Sequence, residues 1–121
     1  MGPTGGVHLP DGSLFEPDAT YVSRERWDAF DRSRTFAHIV PNAAFELLSP
    51  SDRLRTTMKK ITTYLRNGVQ LVVLIDPKRH TVYVGHEGDS EPRDLGDVES
   101  LDCSPVMPGF VLDLTAIRDA G

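Results

Sequence analysis

Glu46 is the residue whose surroundings point most directly to chemistry. It lies within Ala43 to Leu48 (AAFELL), an almost wholly apolar run that is typical of a strand covered on both faces. Burying an ionised carboxylate without a partner costs several kcal/mol, so Glu46 must be paired, protonated or bound to a metal ion. Two interpretations stay open from position alone: a carboxylate that ligates a cation, or a strand-end glutamate bonded to a neighbouring arginine.

A helix is predicted directly after this strand, from about Pro50 to Asn67. Ser49 suits the N-cap, Pro50 suits the first helical position, and Asp52 favours the positive end of the helix dipole. Gly68, just past the last turn, is a typical stop signal. Apolar side chains recur at helical spacing and predict one buried stripe: Leu54, Met58, Ile61 and Leu65.

Three polar side chains fall on one flank of this stripe: Arg53, Lys60 and Tyr64. Tyr64 is nearest the stripe, whereas Lys60 lies further round, towards solvent. The long stem of Lys60 can still extend back over the strand towards Glu46. The alternative is that Lys60 is an ordinary solvated helix lysine, and helix phase permits both interpretations.

The other segments predict further strands and complete one α/β sheet. A hairpin is expected at Leu9 to Leu14, and residues 24–38 are expected to form a short helix or ordered loop that Trp27 and Phe30 anchor to the core. The turn over residues 76–79 is expected to be solvated, and residues 86–106 are expected to be irregular. Strands are predicted over residues 18–23, 70–76, 80–85 and 110–114.

Length, charge and cysteine content narrow the class of protein. The 121 residues suit a single domain, and no apolar run approaches the roughly 20 residues that span a bilayer. The net charge of −5 argues against nucleic-acid binding by bulk charge alone, but it leaves room for an acidic metal site. Cys103 is the only cysteine, which excludes an internal disulfide and favours a cytoplasmic location. The histidines lack zinc-ligand spacing.

Six short segments carry a resemblance to a known family. They occur in one order along the chain: Leu9-Pro10-Asp11-Gly12, Pro17-Asp18, Phe45 to Pro50, Lys60 to Val69, Leu74 to Pro77, and Pro108-Gly109-Phe110. In this order they resemble the Uma family of "putative restriction endonucleases", formerly a domain of unknown function, within the PD-(D/E)XK nuclease superfamily. The resemblance runs from about Gly6 to Leu114. It implies a restriction-endonuclease-like mixed sheet with one main helix packed on it.

The resemblance also implies a metal-dependent endonuclease that hydrolyses DNA phosphodiester bonds. Asp18 and Glu46 would ligate Mg²⁺ or Mn²⁺, since hard cations prefer oxygen ligands, and the carbonyl of Leu47 would add a third ligand. Lys60 would orient the attacking water or offset charge on the phosphate. Tyr64 and Arg53 are expected to support this site.

The sequence departs from the family pattern at several positions. The lysine that the superfamily places two residues after the glutamate is replaced by Leu48, and Lys60 takes its role in the Uma-type pattern. Asn42 stands where an aspartate is usual, and Leu74 where tryptophan is common.

The longer N-terminal layer of the family, which holds a further glutamate, is expected to be missing. Its absence would expose apolar sheet surface, so we expect a homodimer. Two alternatives to a working nuclease stay open. One is a shortened, inactive family member that dimerises or binds nucleic acid. The other is a misassigned start site in a longer protein.

Overall fold

The computed structural model describes residues 6–31, 33–35 and 38–116. No helix within these residues is long and apolar enough to cross a membrane. The elements, in chain order, are β1 (Val7–His8), β2 (Leu14–Phe15), β3 (Ala19–Tyr21), α1 (Arg24–Ala29), β4 (Ala43–Leu47), α2 (Leu54–Arg66), β5 (Leu71–Asp76), β6 (Thr81–His86), β7 (Arg93–Gly96), β8 (Ser100–Asp102) and β9 (Val111–Asp113). The predicted α/β class with a mixed sheet and one main helix is confirmed.

The central sheet has five strands in the order β3-β4-β5-β6-β7. Strands β4 and β5 are parallel, with Glu46 opposite Leu74, and the other neighbours are antiparallel. Helix α2 makes the crossover between the two parallel strands, because a parallel pair cannot be joined by a tight turn. The carboxyl ends of β4 and β5 therefore meet at one edge of the sheet.

Both faces of the sheet are covered. One face packs against α2 and the β1–β2 hairpin through a cluster of buried side chains: Val7, Leu9, Ala44, Leu48, Ile61, Tyr64, Leu65, Val69, Val72 and Leu74. The opposite face packs against the C-terminal segment through a second cluster: Ala43, Leu71, Val73, Val82, Val84, Cys103 and Leu114. The alternation along β4 therefore places Ala44, Glu46 and Leu48 on the α2 side.

Two strands occur within residues 86–106, where irregular structure was predicted. β7 is an edge strand of the central sheet, and β8 pairs with β9 in a separate two-stranded sheet. The prediction was wrong because edge strands keep much of their side-chain surface in water and carry little apolar alternation. The final strand β9 lies within the predicted segment 110–114, but it does not join the central sheet.

Helix α2 begins at Leu54, four residues later than the predicted start at Pro50. The carboxylate of Asp52 accepts a hydrogen bond from the Ser49 amide at 2.8 Å and closes a turn before the helix. Arg53 is the N-cap and makes no side-chain capping bond. The predicted end is confirmed, with Gly68 at a φ of 98° just past the last turn.

Helix α1 confirms the short helix predicted within residues 24–38. Trp27 is 37% exposed, and no α1 residue is buried. The Arg26 guanidinium ties the helix to the following segment by donating to the carbonyls of Val40, at 3.2 Å, and Pro41, at 3.0 Å. Phe30 is half-buried at the helix C-cap.

The prediction of a solvated turn between β5 and β6 is wrong for its first residue. Asp76 is only 1% exposed. Its carboxylate accepts hydrogen bonds from the Arg79 backbone amide at 3.2 Å and from the Arg79 guanidinium at 3.0 Å. A buried aspartate requires such partners, so Asp76 has the structural role of fixing the turn.

Candidate active site

Glu46 lies on the α2 side of β4 and is 7% exposed. Its Oε1 atom accepts a hydrogen bond from the Tyr64 hydroxyl at 3.0 Å and lies 3.0 Å from the Lys60 ammonium. The expectation of a buried, partnered carboxylate is confirmed. The partners are a lysine and a tyrosine of the crossover helix, and the alternative of a neighbouring arginine is wrong.

Lys60 and Tyr64 reach the same oxygen because they are four residues apart on α2. Side chains at this spacing lie one above the other on one helix face. The Lys60 side chain is 27% exposed, so its stem crosses the surface of the core while its ammonium contacts Glu46. The interpretation of Lys60 as an ordinary solvated lysine is therefore wrong.

Phe15, at the end of the β1–β2 hairpin, completes the apolar wall around these groups. Its ring packs edge-on against Tyr64 at a centroid distance of 5.1 Å, and the Lys60 ammonium lies 5.3 Å from the Phe15 centroid. Sequence reasoning missed this residue because an isolated aromatic in a two-residue strand carries no periodic signal. Phe15 adds a cation–π contact that favours the inward position of Lys60.

Tyr64 remains a neutral hydrogen-bond donor at ordinary pH. Burial of the hydroxyl is the main cause that raises the pKa of Tyr64 far above its usual value, and the negative charge of Glu46 raises it further. The charge of Asp18 also acts on this hydroxyl. The neutral phenol therefore donates a hydrogen bond to Glu46 and adds no second negative charge beside it.

Asp18 directly precedes β3 and reaches the site from the edge of the sheet. The pairing of Ala19 with Phe45 places Asp18 beside Glu46. The Asp18 carboxylate accepts a hydrogen bond from the Leu47 amide at 2.6 Å, and the Asp18 amide donates to the Phe45 carbonyl at 3.1 Å. These two hydrogen bonds fix both the backbone and the side chain of Asp18 next to Glu46.

The donor set around Asp18 and Glu46 fits one class of cation. Within the described residues, no group of three or more His, Cys, Asp or Glu side chains is placed to hold a metal ion. Mg²⁺ commonly binds proteins through only one or two carboxylates and completes its shell with water and substrate phosphates. Two carboxylates on neighbouring strands, next to a backbone carbonyl at Leu47, match that chemistry.

Of three other residues singled out in the sequence, Leu74 is paired opposite Glu46, whereas Arg53 and Asn42 lie elsewhere. Arg53 is exposed at the start of α2, and Leu74 is a fully buried core residue. Asn42 is buried at the other end of β4, where its side chain accepts from the Ser23 amide at 2.8 Å and donates to Gln70 at 3.1 Å. The replacement of the usual aspartate by Asn42 therefore removes no side chain from the site around Glu46.

A mostly apolar cavity of about 420 Å³ borders the site on the opposite face of the sheet. Asp18, Glu46 and Leu47 line its margin, and Phe110 and Met107 of the C-terminal segment line its far wall. The cavity therefore borders the two neighbouring strands that carry Asp18 and Glu46.

Comparisons with known proteins bear on the fold and the family of the chain. The chain is similar in fold to a protein from Anabaena variabilis that is described as a "putative nuclease belonging to DUF820", with a TM-score of 0.76 and 19% sequence identity. The similarity covers 95% of this chain but 65% of the other, so the chain spans slightly less than two thirds of that protein. A search among curated proteins gave no match.

The sequence profile of the Uma2 family, described as "putative restriction endonuclease", matches residues 2–115. The match covers nearly all of the chain and includes Asp18, Glu46 and Lys60. The protein therefore belongs to the Uma2 family.

Proposed function

We propose that the protein is a metal-dependent endonuclease that hydrolyses phosphodiester bonds in DNA. The observation that carries the proposal is the pairing of Glu46 with the Lys60 ammonium on one side and with Asp18, held beside it on the neighbouring strand, on the other. Family membership supports the nuclease class, and the two carboxylates and the ammonium support the chemistry.

Asp18 and Glu46 are the residues that would hold Mg²⁺ or Mn²⁺, with the Leu47 carbonyl as a further oxygen donor. A bound divalent cation supplies Lewis-acid polarisation of the phosphate and charge neutralisation during phosphodiester hydrolysis. The acidic side chains contribute two negative charges for this binding. The hydrogen bond from the Leu47 amide fixes one oxygen of Asp18 and so orients the carboxylate.

Lys60 and Tyr64 have different roles at the site. The Lys60 ammonium is placed to stabilise negative charge that develops on the phosphate, because it is held at the margin of the site by Glu46 and Phe15. Tyr64 is a positioning residue: its hydroxyl fixes Glu46 Oε1 and stays protonated.

Cleavage of supercoiled plasmid in Mg²⁺ or Mn²⁺ tests the proposal. We expect Asp18→Asn and Glu46→Gln each to reduce the cleavage rate by about a hundredfold or more, since each removes a charged ligand. Glu87→Gln is the matched control, because Glu87 is an exposed loop carboxylate distant from the site in sequence and in the sheet. Equal cleavage by the wild type and Glu46→Gln contradicts the proposal, as does a wild type that binds no divalent cation in calorimetry.

A homodimer and a cytoplasmic location belong to the same proposal. Exposed apolar side chains support self-association, among them Leu47, Phe110 and Val111. The lone Cys103 is buried, which suits a reducing compartment. Sedimentation at micromolar protein concentration tests the dimer, and a purely monomeric wild type contradicts it.

A further inference from the structure

A second cleft lies at the edge of the sheet where the parallel strands β4 and β5 end. It has a volume of about 730 Å³, and its two walls are the segment after β4 and the turn after β5. We propose that this cleft binds the sugar-phosphate backbone of a DNA strand whose scissile bond lies at the carboxylate site. The inference rests on the proposed function and adds to it the path of the substrate.

The turn after β5 supplies the basic wall of the cleft. Lys78, Arg79 and His80 are consecutive and exposed, and all three line the cavity. His80 has a φ of 50°, a left-handed conformation that is uncommon outside glycine and completes the four-residue turn. The turn therefore presents three successive basic residue types on one short segment.

Asp76 makes this wall rigid. Its buried carboxylate holds both the Arg79 amide and one nitrogen of the Arg79 guanidinium, yet the Arg79 side chain remains 59% exposed. A guanidinium has five N–H donors, so the groups that do not face Asp76 are available to an anion. A fixed guanidinium loses less side-chain entropy on binding phosphate than a free one.

The opposite wall offers the polar groups of Ser49 and one carboxylate, that of Asp52, whose pKa the hydrogen bond from the Ser49 amide lowers, so this wall keeps one negative charge. Ser49 and Ser51 share a hydrogen bond between their hydroxyls at 3.1 Å, and the Asp52 carboxylate is engaged by the Ser49 amide. Asp76 is compensated by Arg79 within the cleft. In the part of the chain that the structure describes, Lys78 forms no ion pair, so its charge is available to a ligand.

The cleft is continuous with the carboxylate site along β4. Leu47 lines this cleft and also the cavity beside Asp18 and Glu46. The strands are held together at this point by the hydrogen bond from the Leu48 amide to the Ile75 carbonyl, at 2.8 Å. Because the Leu47 amide also donates to the Asp18 carboxylate, a strand of DNA that occupies the cleft passes next to Asp18. Because the whole chain carries a charge of −5, such a local basic wall is needed to attract phosphates.

Fluorescence anisotropy with a labelled DNA duplex and its single strand tests the inference. The buffer contains Ca²⁺, which takes the same type of oxygen ligands as Mg²⁺ but with a looser geometry. We expect Lys78→Glu to weaken binding by about fivefold. It should also reduce the slope of the logarithm of the binding constant against the logarithm of the salt concentration by about one, which corresponds to one released counterion. Lys59→Glu is the control, because Lys59 is exposed on α2 outside both cavities and the charge change is identical.

Further variants separate a binding defect from a folding defect. Lys78→Ala removes the charge without adding a carboxylate, and His80→Asn keeps a residue type that tolerates the left-handed conformation. Both should weaken binding while their thermal unfolding matches that of the wild type.

The outcomes separate this inference from the proposed function. Binding that depends on Lys78 without any plasmid cleavage supports the cleft and contradicts the nuclease. Cleavage with unchanged binding in Lys78→Glu supports the nuclease and overturns the cleft. Equal losses in Lys78→Glu and Lys59→Glu also overturn it, because the effect then comes from total charge. A wild type that does not bind DNA overturns it as well.

Discussion

The Lys60 ammonium lies 3.0 Å from the Oε1 atom of Glu46, although Lys60 is on the crossover helix and Glu46 is on a central strand. The same oxygen accepts the Tyr64 hydroxyl, so one carboxylate atom links β4 to α2 twice. The resemblance drawn from the sequence implies a superfamily lysine on the strand itself, two residues after the glutamate. Here that position, Leu48, is a core residue, and the helix supplies the cation instead.

Replacing Lys60 by methionine should lower both stability and activity. The side chain keeps its length, but the nearly buried Glu46 loses its charge partner, which should reduce the free energy of unfolding by about 1–3 kcal/mol. Urea unfolding measures this loss. The double variant Glu46→Gln/Lys60→Met should lose less than the sum of the single variants, because they remove one shared interaction. Additive losses, or an equal loss in Lys59→Met, contradict the importance of the pair.

Replacing Tyr64 by phenylalanine should change how stability depends on alkaline pH. The folded protein raises the pKa of Tyr64 above its ordinary value of 10.0, mainly by burial. Above that pH the unfolded chain loses the phenolic proton while the folded chain retains it, so the stability of the wild type falls as pH rises. Tyr64→Phe should flatten this fall and should also lower stability at neutral pH by about 1–3 kcal/mol through the lost hydrogen bond.

Urea unfolding between neutral pH and pH values above 10.0 checks the Tyr64 prediction, with Tyr21→Phe as a control that removes a phenol outside the site. An alkaline slope that is the same in both variants contradicts it.

Changing Asn42 to aspartate should add no metal ligand. Although this substitution gives the acid that is usual in the family pattern, the side chain is buried at the far end of β4 from Glu46. We expect calorimetric Mn²⁺ affinity to stay at the wild-type value, while Asn42→Ala lowers stability by about 1–3 kcal/mol because the Ser23 amide and Gln70 lose a partner. A gain of Mn²⁺ affinity in Asn42→Asp refutes this structural assignment.

Changing Gly85 to alanine should push α2 away from the sheet. A Cβ atom at Gly85 would lie 2.7 Å from a Leu65 methyl and 3.4 Å from an Ile61 methyl, and both side chains are buried. Overpacking of this kind costs about 1–3 kcal/mol. The double variant Gly85→Ala/Leu65→Ala should lose less stability than the sum of its parts, whereas Gly85→Ala/Leu54→Ala should be additive. Additivity in both pairs contradicts the clash.

The central part of the fold was predictable from the sequence because its burial patterns are strong. The apolar runs of β4 and β5 and the stripe on α2 each specify one element, and the alternation in β6 specifies its pairing. The strands β7 and β8 were not predictable, since their residues alternate little and their pairing depends on distant segments. The start of α2 was misplaced because Asp52 bonds back to Ser49 in a turn, a choice that composition does not reveal.

The candidate site was predictable only in part, for equally physical reasons. Glu46 stood out because a charge in an apolar strand demands a partner. Helix phase placed Tyr64 near the core, but it left Lys60 between solvent and site, since the phase of a residue does not determine where a flexible stem ends. Phe15 contributes through tertiary contact alone. The buried pairing of Asp76 with Arg79 was missed because the turn Asp76-Pro77-Lys78-Arg79 has the composition of a solvated loop.

The short edge strand β3 has a consequence for the order of events on cation binding. Asp18 is attached to the sheet by β3, three residues long and paired only with β4, whereas Glu46, Lys60 and Tyr64 belong to the crossover unit in the core. Fraying of β3 would release the Asp18 carboxylate from the Leu47 amide and leave the rest of the site assembled. A cation that binds both carboxylates would then link β3 to β4 and hold the edge strand on the core. Slower hydrogen exchange at the Leu47 amide would record this closure, while the neighbouring Leu48 amide, bonded into the core, would stay protected throughout.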